Sequence, residues 1–500
     1  MNLENQAREL VRNLQEKIGP SPYDIAWMAR VPSGTGRGPR WPELTEWLIE
    51  RQWLDGSWGS IIPYYHDHIL CTLAAIIALK ENCQNEDSSR AIELGERYIW
   101  NHLHFLRQDP IELAGFELLL PTLLIEARAL DLAVPSHSCG YGRIRAAKLK
   151  LVPQDLIYSP SISTTFSLEF MGNQVDIDRM HNAQAQNGSI ANSPATTAFL
   201  VLKAGNNDKA LDYLESMRDL PGGIPAFYPY RTYETAWVLE HLAFGGLHLK
   251  ELVEMSVWET LLSDLEPDGV GIDPTYSIKD GDTTSVTLHV LALGGQSVDP
   301  MILHHFEEQK THTFRTFTFE RNASVTTNVH ALEALSFMPD YPNRDDVRRR
   351  IMAMLLADRR YESYWIDKWH ASPYYATAHV LIGMINNGTE AVVSHCTSSA
   401  DWLLHTQRDD GAWGYFNRGT AEETAYTLLA LLRYHRQVAP VNAEIMRRGA
   451  SYLHRESEAQ SMAYPEMWIS KTLSASESII EASILAALYL YQDTFGHIPD

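Results

Sequence analysis

The stretch Gln52-Trp53-Leu54-Asp55-Gly56-Ser57-Trp58-Gly59 returns later in the chain as Gln407-Arg408-Asp409-Asp410-Gly411-Ala412-Trp413-Gly414. Both read Q-x-x-D-G-x-W-G, five identities at fixed offsets, and each follows a helix-forming run of aliphatic and aromatic residues. Asp-Gly supplies a tight turn with a left-handed glycine. The tryptophan can then pack its ring between helix ends while the glutamine caps a neighbouring helix. A turn of this kind joins helices, so its recurrence points to two related helical domains.

The rest of the chain agrees. Apolar residues recur at three- and four-residue spacing over 70–80, 196–203, 233–243, 328–336 and 424–434, which is the pattern of helices with one buried face. Strict alternation is sparse, with 314–319 the best short strand candidate. Loops containing Pro and Gly fall at 32–41, 220–229 and 269–274. The expected fold is all-α, a chain of helical hairpins. At 500 residues the chain exceeds what one hydrophobic core usually organises, so two domains are expected.

Composition narrows the function. A hydrophobic share of 45% and a charged share of 21% are those of a globular protein. No apolar run reaches the roughly 18 residues needed to cross a bilayer, and residues 1–19 lack the core of a signal peptide, so a cytoplasmic location is expected. Cys71, Cys83, Cys139 and Cys396 are far apart with no C-x-x-C pair, which fits reduced thiols and disfavours a zinc site or disulfide framework. The net charge of −22 repels phosphate backbones, so nucleic acid is not an expected partner. Walker A, H-E-x-x-H and G-x-S-x-G motifs are missing.

Chemistry is suggested by Lys279-Asp280-Gly281-Asp282-Thr283-Thr284, which follows a glycine-containing loop and precedes an apolar helix. Two carboxylates this close cannot both ionise cheaply, so one can stay protonated near neutral pH. A water-shielded carboxylic acid is what protonation of an alkene requires. The same residues also make an ordinary solvent-exposed turn with an N-cap, and the motif alone does not decide between the two. A basic cluster, Arg143, Arg145, Lys148 and Lys150, stands out in an acidic protein and offers a site for a phosphate group.

In this context the repeat resembles the QW element of the terpene and squalene cyclases, and Asp280-x-Asp282-Thr283-Thr284 resembles the DxDD acid motif of the class II members. Ser21-Pro22-Tyr23-Asp24-Ile25-Ala26-Trp27 resembles their SPYDTAW element. Gly115-Phe116-Glu117, Ser193-Pro194-Ala195-Thr196-Thr197-Ala198 and Trp468-Ile469-Ser470-Lys471-Thr472-Leu473 match further family segments in the right order. Within the family the chain is most similar to bacterial enzymes of the tuberculosinyl (halimadienyl) diphosphate synthase type. These share the Asp-x-Asp-Thr-Thr variant and the segments Thr327-Asn328-Val329-His330, Asp367-Lys368-Trp369-His370 and Thr420-Ala421-Glu422-Glu423-Thr424-Ala425-Tyr426. Clerodane-forming (terpentedienyl-type) and drimenyl diphosphate synthases are the nearest alternatives.

The resemblance implies two α-barrel domains: a β domain over 1–37 and 223–500, and a γ domain over 38–222 inserted into it. It implies Asp282 as proton donor, Asp280 as the residue that polarises the proton, and Asn328 as the hydrogen-bond partner that orients the acid. Thr283 replaces the last Asp of the family motif. Lys148 and Lys150 are implied to bind a diphosphate, and Asp109, Glu112 and Glu117 to form a degenerate magnesium site. Trp365, Trp369, Tyr228, Phe227 and Trp468 are candidate aromatic walls for a carbocation. The plant enzymes' deprotonating His and Asn fall at Phe166 and Ala226 here, so a copalyl-type ending is not implied. The implied substrate is a prenyl diphosphate, geranylgeranyl first and farnesyl second, with the diphosphate retained for a downstream phosphatase or class I synthase. Asp345-Asp346 and Asp409-Asp410 lack the third acid of a class I metal motif.

Three other readings compete. A helical-repeat binding scaffold needs regular repeats of about 30 to 50 residues, whereas only two well-matched elements appear. A prenyltransferase-like barrel needs grouped zinc ligands. A squalene-hopene cyclase is longer, with more QW elements and a membrane face. The sequence leaves the oligomeric state open.

Overall fold

The computed structural model describes residues 2–499 except 35–37, 83, 84, 154, 206, 319, 321 and 460–463. Cys83, the middle of the 32–41 loop and the end of the 314–319 segment therefore lie outside the described residues. The expected helices form with one to four extra residues at most ends, as Tyr65–Asn82, Pro194–Ala204, Arg231–Phe244, Val325–Ser336 and Ala421–Gln437. Among the described residues the strands are two-residue pairs, Glu307–Glu308 with Thr313–Phe314 and Trp468–Ile469 with Leu473–Ser474.

Six helices close a ring: Arg231–Phe244, Gly281–Leu293, Val325–Ser336, Pro373–Asn387, Ala421–Gln437 and Glu477–Phe495, each packed on the next and the last on the first. A second ring joins Pro22–Ala29, Tyr65–Asn82, Phe116–Ala129, the 3₁₀ segment Ser163–Gln174 and Pro194–Ala204. Inner helices of such a barrel are apolar on nearly every side because outer helices cover what the ring leaves open. In Tyr65–Asn82, for example, every residue from His66 to Leu79 is buried. Each ring encloses its own buried cluster, one built from residues such as Leu239, Val286 and Leu431, the other from Tyr23, Ile76 and Phe199.

The repeat shows its physical purpose here. Trp58 and Trp413 donate their indole N–H to the carbonyls of Leu48 and Leu403, both at 2.6 Å. Their backbone N–H groups donate to the hydroxyls of Thr72 (3.1 Å) and Thr424 (3.0 Å) in the N-terminal half of the following inner helix. Gln52 and Gln407 hold the turn at Gly56 and Gly411 and also reach the next outer helix at Ala91 and Ile445. The element therefore fixes three helices with one turn.

Three further copies carry the same contact without the full sequence signature. Trp365 donates its indole N–H to Leu355 and its backbone N–H to Thr377. Ile190 and Val270 donate theirs to Thr197 and Thr284, each at 3.0 Å. Trp365, expected as a pocket aromatic, is thus a core turn residue, 1% exposed.

Gly56 and Gly411 adopt φ of +93° and +92°, and a Cβ there would lie 2.5 and 2.6 Å from the carbonyl oxygens of Leu94 and Arg448. Gly411→Ala should therefore cost about 1–3 kcal/mol in strain alone, visible as a lowered thermal midpoint. A variant that melts with the wild type would contradict this account of the turn.

Candidate active site

The helix Gly281–Leu293 begins where the two cores meet. Tyr276 and Ile278, just before it, pack in one cluster, and Val286 and Leu288, inside it, pack in the other. Asp280 is the N-cap and accepts the Thr283 N–H at 2.7 Å, satisfying one of the free donors of the first turn. Thr284, two residues beyond Asp282, is anchored to the Val270 turn. The cap and the anchor together fix Asp282 in the first turn.

Both acids are buried, Asp280 at 4% and Asp282 at 8% exposure. Burial pushes the Asp280 carboxyl up to about 7; the Thr283 N–H works against the shift, and Asp282 adds to it. Burial also raises Asp282, although His330 beside it pulls the other way. The pair is built to hold a proton near neutral pH. Asp282 retains 11% of its side-chain surface, so it can reach a bound molecule.

Asp282 Oδ1 is paired with His330 Nδ1 at 2.7 Å, and the imidazole is fully buried. Burial disfavours the imidazolium, yet Glu240 and Asp282 outweigh it and push His330 up to about 9. Asn328, expected to orient the acid, points elsewhere. Its amide bridges both backbone groups of Phe314 and the carbonyl of Ser324. Residues two apart on a helix face about 200° apart, so only one of Asn328 and His330 can meet the acid. The sequence held both in Thr327-Asn328-Val329-His330 without saying which.

Aromatic rings surround this pair. Trp237 lies edge-on to His330 at 5.7 Å, Tyr233 lies on Trp237 at 4.2 Å, and Tyr375 meets Trp468 at 4.8 Å. Of the expected aromatics, Trp468 belongs to this shell. Trp369 is half-buried, donates to Thr316 and packs on Phe317. Phe166 meets Phe227 at 6.4 Å, and Tyr228 donates its backbone N–H to Asn192; these line the side of the second barrel. Tyr233, Trp237 and Tyr375 were missed because each reads as ordinary core.

The two barrels are tied together beside the site by Lys471, whose ammonium is fully buried against Glu169 at 2.9 Å and Ser193 at 2.6 Å. Tyr23 also donates to Glu169, at 3.1 Å, so three of the quoted segments meet in one network.

The expected magnesium carboxylates do not form a free cluster. Asp109 caps the helix Tyr65–Asn82 through the Tyr65 and His66 N–H groups and pairs with the His66 ring at 2.6 Å. Glu112 accepts from Tyr141 at 2.7 Å, and Glu117 is paired with Lys148. Magnesium needs several open oxygen ligands in octahedral array, so this trio as arranged does not fit it. Lys148 and Lys150 lie at the exposed end of the helix Tyr141–Leu149.

Comparison with known proteins gives consistent results. The family described as squalene-hopene cyclase C-terminal domain matches residues 317–474. The chain is similar to a type B diterpene cyclase of Mycobacterium tuberculosis, 34% identical over 95% of this chain and 96% of the other. It is 29% identical to the chloroplastic ent-copalyl diphosphate synthase 2 of Marrubium vulgare over 72% of its length, but spans only 47% of that longer protein. Among solved structures, ent-copalyl diphosphate synthase from Streptomyces platensis superposes with a TM-score of 0.79 at 28% identity, covering 98% of this chain and all of the other. Abietadiene synthase from Abies grandis shares the fold at a TM-score of 0.67 and 22% identity, with 98% of this chain and 58% of that one covered.

Lys471→Met should destabilise the protein by about 3–5 kcal/mol, because it leaves the Glu169 carboxylate buried and unpaired. Adding Glu169→Gln should recover much of the loss. Urea unfolding of the three proteins checks this, and equal stability of the single and double variants would contradict it.

Proposed function

The chain belongs to the class II terpene cyclases, and from that membership we propose that it converts geranylgeranyl diphosphate into a bicyclic, rearranged diterpenyl diphosphate. The reaction is a protonation-initiated cyclisation. The observation that carries the assignment of the donor is the buried Asp282–His330 pair at the mouth of a barrel helix.

His330 occupies Oδ1 of Asp282, which leaves Oδ2 to carry the proton. In the first step that proton passes to the distal double bond of the substrate. The π electrons form the new C–H bond, a tertiary carbocation remains, and Asp282 becomes a carboxylate. The hydrogen bond from His330 stabilises that carboxylate as it forms. Asp280, whose own raised pKa includes a contribution from Asp282, supports the step because two carboxyls this close do not readily ionise together, and Asn328 acts at one remove by fixing Phe314 beside the helix. Tyr233, Trp237, Tyr375 and Trp468 offer π faces to the cationic carbons and exclude water.

Lys150 and, on exchanging its Glu117 partner for the substrate, Lys148 are the proposed diphosphate contacts, with Trp369, Tyr228 and Phe166 along the chain of the substrate. Phe166 and Ala226 hold no base, which favours a rearranged skeleton over a copalyl one. Magnesium enters this reading only as the diphosphate's counter-ion, since Asp109, Glu112 and Glu117 are otherwise engaged. A cytoplasmic location and a downstream phosphatase or class I synthase complete the proposal; no helix among the described residues is long and apolar enough to cross a membrane. The domain reading belongs here too. A γ domain ending near 222 is inserted in a β domain, but Tyr23–Val31 pack in the γ-side cluster, so we draw the first boundary between Val11 and Tyr23 instead of at 37/38.

Purified protein incubated with geranylgeranyl or farnesyl diphosphate, then dephosphorylated and examined by mass spectrometry, tests the substrate; turnover of the farnesyl chain alone would favour a drimenyl product. Asp282→Asn should lower ring formation by at least about a hundredfold in a folded protein, and unchanged turnover would overturn the donor. Chelating magnesium should raise KM for the diphosphate and leave kcat unchanged; a collapse of kcat would reinstate a metal in the site.

A further inference from the structure

The acid pair continues into the core as a row of alternating acids and imidazoles. Asp282 Oδ1 meets His330 Nδ1 at 2.7 Å, His330 Nε2 faces Glu240 Oε2 at 3.6 Å, and Glu240 Oε1 pairs with His289 Nδ1 at 2.9 Å. Glu240 and His330 are each 0% exposed. Neither His330 Nε2 nor Glu240 Oε2 has a hydrogen-bond partner among the described residues, and the two face each other as a ring nitrogen and a carboxylate oxygen, with His379 in the same cluster.

Resting on the reading of Asp282 as donor, we infer that Glu240 is a positioning residue for the acid step: its buried carboxylate holds His330 as an imidazolium, so that a doubly protonated Asp282–His330 pair meets the substrate. Two requirements of the reaction support this. Asp282 must carry its proton and yet release it readily to an alkene. A neutral histidine beside a protonated carboxyl supplies no charge to stabilise the carboxylate formed, whereas an imidazolium does. An imidazolium in a dry core needs a counter-charge of its own, and Glu240 stands on its far side. Glu240 cannot be the donor, because it has no surface open to a substrate.

The other groups around His330 are consistent with this assignment. From the helix Arg231–Phe244 come Glu240 and His241, and from Gly281–Leu293 come Asp282 and His289. Burial and His330 itself hold His379, on Pro373–Asn387, well below the usual imidazole range; it donates Nδ1–H to the Tyr375 carbonyl at 2.9 Å, so its Nε2 is a lone pair without added charge. Burial likewise pushes His241 down to about 4. Asp367, in the loop before Pro373, adds a more distant negative charge, and Glu333 on the same helix as His330 is engaged by Asn386 and Asn387. The outer helix Arg344–Ala357 presents Val347, Ile351 and Leu355 to the core. Burial opposes the charge on Glu240, yet His330 and His289 hold it below the ordinary carboxylate range.

Removing a nearby negative charge lowers the apparent pKa of the Asp282–His330 pair, whichever of the two gives up its proton first. Glu240→Gln should therefore move the alkaline limb of the kcat–pH profile to lower pH by about one unit or more, with KM unchanged. Glu240→Asp, which keeps the charge, should retain the limb. A Glu240→Gln enzyme with lowered kcat but the wild-type limb would overturn the inference and leave Glu240 a packing residue. An independent measurement needs no Glu240 variant. In wild-type protein labelled at histidine, the resonance lost in His330→Asn should remain that of an imidazolium through pH 8. Titration at or below the ordinary value of about 6.5 would overturn the inference even if Glu240→Gln does not fold. Failure of the donor assignment is separate, because it appears as continued cyclisation by Asp282→Asn.

Discussion

The contact on which the rest depends is the hydrogen bond from a turn N–H to a threonine hydroxyl in the N-terminal half of an inner barrel helix. It recurs at Thr72, Thr197, Thr284, Thr377 and Thr424. The donor is buried, so leaving it unpaired is costly, and the helix register is set by that need. At Thr284 this register places Asp282 two residues earlier, in the first helical turn, facing His330 across to the next inner helix. The geometry of the acid pair is thus a by-product of a turn that the fold uses elsewhere for packing alone.

That turn also explains what the sequence disclosed and what it concealed. Where the turn keeps Gln, Asp-Gly and Trp, as at 52–59 and 407–414, the repeat is visible in the letters. Around Trp365 the glutamine and the Asp-Gly are gone, and the turn is carried by Tyr361 and Glu362 at positive φ. At Ile190 and Val270 the indole is gone instead. Gln184 still donates to the Gly188 carbonyl, and Asp268-Gly269 still precedes Val270 with its glycine at positive φ, but without the tryptophan these letters carry no visible repeat. Trp365 was consequently legible as an aromatic but not as a structural one.

The acid pair was legible only together with the family segments around it, because Asp280-x-Asp282 by itself reads equally as an exposed turn with an N-cap. The partner of the pair was not. Asn328 and His330 stand two residues apart, and helix geometry permits only one of them to face the acid, but the phase depends on where the helix begins. The carboxylates at Asp109, Glu112 and Glu117 have the composition of a metal site, while their positions make them a cap, a tyrosine acceptor and half of an ion pair. The barrels are tied together by Lys471 and Glu169, a pairing of residues about three hundred positions apart that no local pattern could reveal.

On the proposed reading, the interface between the two barrels holds a proton on the Asp282 carboxyl, with the His330 imidazole beside it. The most direct test of that picture is to run the reaction in D2O and locate the isotope. Ring formation begun by Asp282 predicts one deuterium per product, on the inner CH carbon of the former distal double bond, the carbon next to the one that becomes the tertiary cation, in a product that becomes extractable into organic solvent only after phosphatase treatment. A cyclic product free of deuterium, released together with inorganic pyrophosphate, would contradict it.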